Sequence, residues 1–319
     1  MINSKHIGLG TAAIGRPLYI NIKQDANTEP FSLPIFKENG LEVLEDAYNK
    51  GIRYFDTSPG YGIAEQLLLQ WLKTKDDPSI QVSTKWGYTY VANFDPNATQ
   101  HEVKEHSLNK LNEQWEFSKE LLPYLKVYQI HSATFDTGVL ENAEVLKRLH
   151  DLKQEHNIII GLTTTGANQT EVLEKGLSIQ VENETLFQSF QCTYNILDQS
   201  VFKYAEALKS LEGPFIIKEA LANGRLIPNE DYPQYRKLYD LINRLAKQYN
   251  VGADAIALRY CIAVFPEALV LSGANNAEHL SANLKADQFS LTNSEIEQLS
   301  AFKILNSSYW EERKALTWN

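Results

Sequence analysis

The chain has 319 residues, 43% of them apolar and 22% charged, so it can bury a large core, and general disorder is excluded. Thirty basic against 40 acidic residues leave a net charge of −10, which argues against nucleic acid or an anionic membrane surface as a partner. No apolar run approaches the ~18–20 residues that cross a bilayer, and the N-terminus lacks a signal-peptide layout, so the expectation is a cytoplasmic protein. Two cysteines, Cys192 and Cys261, lie far apart in apolar segments and imply neither a disulfide framework nor a metal set.

In chain order, short runs rich in Ile, Val, Phe and Tyr alternate with helical patterns. The predicted strands are 6–10, 52–56, 80–85, 126–131, 158–163, 189–194, 215–218 and 268–272. Between them, Leu67, Leu68, Trp71 and Leu72 share one helical face, as do Val145, Leu146, Leu149 and Leu152. Tyr235, Leu238, Ile242, Leu245 and Tyr249 form a longer stripe. Asn168 with Glu171, and Thr292 with Glu295, have capping-box spacing. Eight strands alternating with helices predict a single-domain (β/α)8 TIM barrel, and the dinucleotide fingerprint of an open doubly wound sheet follows none of the strands. Two pieces break the rhythm. Residues 16–39 read as a long loop between the first strand and the first helix, placed over or beside the active face. The tail 309–319 carries Trp310 and Trp318 and is expected to pack on the barrel.

Barrel chemistry sits at the C-terminal strand ends. Those ends carry Asp56, Lys85 and His131 on three successive strands, with Tyr61 five residues after Asp56. Taken singly each has a plain structural reading: Asp56 as a turn cap, Lys85 as a solvated lysine, His131 as an interior histidine, Tyr61 as a turn aromatic. Together they make a unit in which Lys85, held by Asp56, lowers the proton affinity of the Tyr61 phenol, and His131 orients it against a carbonyl or alcohol.

The segment Gly51-Ile-Arg-Tyr-Phe-Asp-Thr-Ser-Pro-Gly-Tyr-Gly62 resembles the signature of the aldo-keto reductase superfamily. So do Ile7-Gly-Leu-Gly-Thr11, Ser83-Thr-Lys85, Gln129-Ile-His131 and Gln191-Cys-Thr-Tyr-Asn195, in order over about residues 7 to 286. The resemblance implies Asp56, Tyr61, Lys85 and His131 as the catalytic tetrad of a nicotinamide-dependent oxidoreductase acting on a small aldehyde, ketone or sugar. It implies cofactor contacts at Thr11, Thr163, Thr164, Gln191, Lys218, Leu221, Ser272, Gly273, Asn275, Asn276 and Asn283. Thr163-Thr164 replaces the family's Ser-Asn, and Lys218 stands where an aromatic stacks on nicotinamide. Leu221-Ala-Asn-Gly-Arg-Leu226 is similar to the loop that straddles the pyrophosphate. Ala282 replaces the acidic or amide residue beside Asn283. Asn275 and Asn276, where a basic residue holds the 2′-phosphate of NADP, favour NAD over NADP, with Arg225 or another basic residue on a mobile loop able to reverse that preference. Trp86 and Tyr88 are expected to wall the substrate pocket, and the Lys85-Trp-Gly-Tyr stretch loosely resembles the aldose-dehydrogenase branch. Two other readings stand beside this one: a Schiff-base lyase or aldolase using Lys85 or Lys218, and a cofactor-binding redox sensor without turnover.

Overall fold

The computed structural model describes residues 6–18, 20–22, 31–95 and 97–318. Eight parallel strands close into a barrel: β1 (Ile7–Gly10), β2 (Tyr54–Asp56), β3 (Gln81–Trp86), β4 (Leu125–Ile130), β5 (Ile159–Thr163), β6 (Ser189–Thr193), β7 (Phe215–Lys218) and β8 (Leu269–Ser272). Each strand pairs with its sequence neighbours, and β1 pairs with β8 to shut the ring. These are the eight segments expected from the sequence, with boundaries differing by at most two residues.

The helices bury the stripes that define them. The helix α1 (Leu33–Asn49) packs on α2 (Ala64–Leu72), whose Leu67, Leu68, Trp71 and Leu72 are all core residues. Gly40 allows this approach, because a Cβ there would press on the Leu67 side chain. The stretch 16–39 is therefore not loop throughout: Pro34 opens α1, and its last seven residues are helical. Residues 19 and 23–30 of that stretch lie outside the described residues. The later helices used below are α3 (Leu108–Ser118), α4 (Ala143–His156), α5 (Gln169–Ser178), α6 (Ala205–Lys209), α7 (Arg236–Tyr249), α8 (Ala253–Val264), α9 (Ala277–Leu284), α10 (Asn293–Ser300) and α11 (Asn306–Ala315). Thr292 and Glu295 form a full capping box on α10. Asn168 makes no side-chain cap on α5; the Gln169 side chain instead turns inward to Asp198 and Ser200.

Two additions sit at the C-terminal end of the barrel. An antiparallel hairpin, Tyr88–Tyr90 with Glu102–Lys104, follows β3. The tail folds as α11, burying Tyr309 and Trp310, and then pairs Trp318 with Ile20. Among the described residues no helix is long and apolar enough to cross a membrane, and no cluster of His, Cys, Asp or Glu has the geometry of a metal site. Cys192 and Cys261 are both buried and unbridged.

Candidate active site

Asp56 ends β2 with its side chain in the barrel mouth, where it gathers donors from two other strands. Lys85 Nζ on β3 lies 2.5 Å from Asp56 Oδ2, Ser83 Oγ donates to Oδ1 at 2.7 Å, and Gln191 Nε2 on β6 donates to Oδ1 at 2.9 Å. Lys85, fully buried, also donates to the Thr57 carbonyl at 3.0 Å, and its ammonium stands 4.8 Å from the centre of the Tyr61 ring. Thr11 ties β1 to the same corner by donating from Oγ1 to the Asp56 carbonyl at 3.0 Å. Tyr61 meets the His131 ring edge-on, with centroids 5.4 Å apart and planes at 90°. The tetrad expected from the sequence therefore converges at one mouth.

Residues that sequence reasoning missed hold this arrangement. Ser58 Oγ contacts His131 Nδ1 at 3.1 Å while accepting the Gly60 N–H at 3.1 Å, so the turn that delivers Tyr61 also orients the imidazole. Its signal was present, inside the Asp56–Gly62 motif. Gly15 lies so close beneath Tyr61 that a Cβ would overlap the Tyr61 carbonyl and Ala64. Arg16, 4% exposed, donates to the Gly60 carbonyl at 3.1 Å and to Glu102 at 2.7 Å, with its guanidinium 5.4 Å from the Tyr61 ring centre.

The electrostatics correct one expectation. Burial pushes the Tyr61 phenol well above its ordinary value of 10, Asp56 adds to the rise, and the Arg16 cation opposes it. The ammonium of Lys85 is committed to Asp56 and faces the ring, so desolvation of the phenolate dominates. His131 is held well below 6.5 by burial and by the nearby Lys85 and Arg16 cations, which leaves a neutral imidazole at neutral pH. At neutral pH the mouth thus holds a protonated phenol beside a neutral imidazole.

The residues expected to contact a cofactor follow the rim from β5 to β8. Thr163 Oγ1 accepts the Ser132 N–H at 2.7 Å, and Thr164 donates to Gln169 at 3.1 Å. Lys218 ends β7 and donates to Thr193 Oγ1 at 3.1 Å; burial lowers its proton affinity. Beyond it, Glu219, Ala222, Asn223 and Gly224 all take left-handed backbone angles. Three non-glycine residues in that region within five positions mark a strained loop, of the kind that clusters at ligand sites. Leu221 lies in this loop, half-buried. The loop also leaves Asn223 Oδ1 and Arg225 Nη2 buried without hydrogen-bond partners. At β8, Ser272 donates to Asn283 Oδ1 at 2.7 Å, and Asn283 Nδ2 donates to Asp254 at 2.6 Å, so the Asn283 amide is engaged within the fold. Gly273 is open to solvent, and Asn275 and Asn276 are exposed. Asn276 caps α9 by accepting the His279 N–H at 2.8 Å. Arg225 is fully buried, bonded to the Ala222 and Tyr309 carbonyls and to Glu312.

Of the two residues expected to wall a pocket, Tyr88 stands beside the site with its ring 4.6 Å from that of His131. Trp86 does not: it is completely buried, edge-on to His106, because residues alternate faces along β3 and Lys85 takes the inward one. From the tail, Trp310 lies 5.8 Å from Lys218 Nζ, and Arg313 pairs with Glu219 at 3.2 Å. Trp318 stacks on His101 at 4.3 Å and under the Arg16 guanidinium at 4.8 Å.

Residues 6–304 match the family model described as the Aldo/keto reductase family. The chain belongs to that family. This aldo-keto reductase is 26% identical over 266 residues to L-galactose dehydrogenase of Arabidopsis thaliana, covering 79% of each chain. It is 22% identical over 294 residues to norsolorinic acid reductase B of Dothistroma septosporum, covering 83% of this chain and 72% of that one. Its fold superposes on the glycerol dehydrogenase of Gluconobacter oxydans with a TM-score of 0.70 at 21% identity, over 94% of this chain and 92% of that one. The aldo-keto reductase assignment makes the protein an oxidoreductase of a family that uses nicotinamide dinucleotides.

Proposed function

We propose that this aldo-keto reductase interconverts a carbonyl and an alcohol on a small aldehyde, ketone or sugar, with Tyr61 as the proton carrier. The observation that carries the proposal is the convergence of Tyr61 on Lys85 and His131 around a mouth whose carboxylate, Asp56, is already bound by Lys85. A bound nicotinamide dinucleotide supplies or accepts the hydride. In reduction, Tyr61 donates its proton to the forming alkoxide, and the neutral His131 offers a hydrogen bond to the same oxygen. Lys85, kept charged by Asp56, stabilises negative charge as the proton leaves the phenol. In oxidation the steps reverse, and Tyr61, whose burial keeps the phenol protonated at neutral pH, has to lose its proton before it can accept one from the alcohol.

Thr163, Thr164 and Gln191 offer hydroxyl and amide groups at the mouth, and the unpartnered Asn223 Oδ1 and Arg225 Nη2 suit a polar ligand along the strained loop. NAD is favoured over NADP. The charge of Arg225 is paired with Glu312, and Asn276 is an uncharged amide spent on capping α9, so neither brings an unneutralised positive charge to a 2′-phosphate. The likeness to L-galactose dehydrogenase supports a sugar among the substrates to test first. Schiff-base chemistry at Lys85 is disfavoured, because an amine 2.5 Å from a buried carboxylate is held as an ammonium.

The test is a fluorescence titration with NADH and NADPH, followed by turnover of a panel of aldoses and aldehydes by the wild type and Tyr61→Phe. Saturable binding with turnover that Tyr61→Phe abolishes supports the reading. Binding without turnover of any carbonyl leaves the sensor reading standing. Absence of binding, with borohydride-trapped adducts at Lys85 or Lys218, replaces it with the lyase.

A further inference from the structure

Arg16 belongs to none of the motifs discussed above, yet it touches the centre of the site. Its guanidinium is nearly excluded from solvent and pinned by two oxygens, the Gly60 carbonyl at 3.1 Å and the Glu102 carboxylate at 2.7 Å. Gly60 directly precedes Tyr61, and the guanidinium stands 5.4 Å from the Tyr61 ring centre. The opposite attachment is the tail, where the Trp318 ring lies 4.8 Å from the same carbon. Glu102 sits on the hairpin that also carries Tyr88. Arg16 therefore links the turn bearing the phenol, the hairpin over the mouth and the C-terminal tail.

We propose that Arg16 is a positioning residue for Tyr61, its guanidinium fixed by Glu102 and the Gly60 carbonyl so that the proton-carrying phenol works beside a permanent positive charge. The inference rests on the reading of Tyr61 as the proton carrier. Guanidinium suits this role because it remains charged when buried, and its Nη1 donates to both acceptors. The charges facing Tyr61 come from several elements: Asp56 from β2, Lys85 from β3, His131 after β4, Tyr88 and Glu102 from the hairpin, and Arg16 itself. Lys85 faces the ring from 4.8 Å with its charge shared with Asp56, and His131 is neutral, so Arg16 adds a second cation on the phenol. The Arg16 cation opposes the effects of burial and Asp56 on the phenol, while Glu102 works against it. The arrangement thus sets proton affinity through a pair whose members act in opposite directions.

The experiment replaces Tyr61 with 3-nitrotyrosine, whose nitrophenolate absorbs visible light, and titrates that absorbance in the full-length protein. Arg16→Met is expected to move the midpoint alkaline by about one pH unit or more, as for a charge ~4–6 Å away. Arg16→Lys, which keeps the charge, moves it less. Glu102→Gln moves it the other way. Thermal melts of each variant report folding, and Arg16→Lys and Glu102→Gln keep the test alive if Arg16→Met does not fold. Midpoints that coincide across folded variants would overturn the proposal and leave Arg16 as a strut for the hairpin and tail. Loss of the parent reading is distinguishable, because it requires Tyr61→Phe to retain turnover.

Discussion

The buried pair of Asp56 and Lys85 invites a double-mutant cycle. Lys85 is completely buried and Asp56 is 2% exposed, so neither charge can turn to water when its partner is removed. Breaking a buried pair from one side costs ~3–5 kcal/mol. The structure points to the lower end, about 3 kcal/mol for either change. After Asp56→Asn, Lys85 keeps the Thr57 carbonyl at 3.0 Å; after Lys85→Met, Asp56 keeps Ser83 at 2.7 Å and Gln191 at 2.9 Å. With both charges gone no orphan remains, so the double variant should cost less than either single does, a coupling of more than about 3 kcal/mol. Urea denaturation at pH 7 measures all three, and carbonyl turnover is followed in parallel. Stability should be partly regained in the double variant relative to the sum of the singles, while turnover should stay lost in every one. Costs that simply add, with coupling below ~0.5 kcal/mol, would refute the argument that the pair is desolvated and mutually dependent. Turnover near the wild-type level in Lys85→Met would remove the pair from the mechanism.

Tyr61→Phe should fold and bind NADH as the wild type does but lose roughly 10²–10⁴-fold in kcat, the usual scale for a lost proton carrier. Gly15→Ala should destabilise the protein and lower kcat together, because a Cβ there displaces the Tyr61 backbone and Ala64; a neutral effect in melts and assays would show that the turn can move aside. Glu65 makes the pH prediction. Its buried carboxyl accepts hydrogen bonds from Thr84 and Ser118, yet burial raises its pKa from 4.5 to about 7. A raised acid stabilises the fold below pH 4.5, and that stabilisation is lost as pH rises through about 7. At ~1.36 kcal/mol per pH unit the full span is about 3 kcal/mol. Glu65→Gln should remove this slope from denaturation curves taken at pH 5 and 8, and an identical slope in both proteins would contradict it.

The barrel and the identities at its strand ends are legible in the amino-acid order. Strand and helix patterning depends on neighbours within one element, so the eight strands stand within two residues of where alternation placed them. A parallel barrel then aims the residues at consecutive strand ends into one mouth, and so Asp56, Lys85 and His131 could be grouped before any coordinates existed. The first helix opens at Leu33, inside the stretch expected as loop, and its Gly40 makes room for Leu67. Trp86 was misplaced for want of the inward and outward sense of β3, which the packing of Lys85 against Asp56 settles.

Tertiary structure alone decided the partners that meet across long stretches of chain. Arg16 finds Glu102, Glu219 finds Arg313, and Arg225 finds Glu312, each pair separated by more than eighty residues and joined only when the rim closes. It also decided the proton affinity of Tyr61. A list of nearby charges predicted a fall, but the cost of burying a phenolate depends on everything packed around it, and that cost turned the shift upward. Local pattern sets which residues reach the mouth; the dielectric and charge balance they meet there belong to the folded whole.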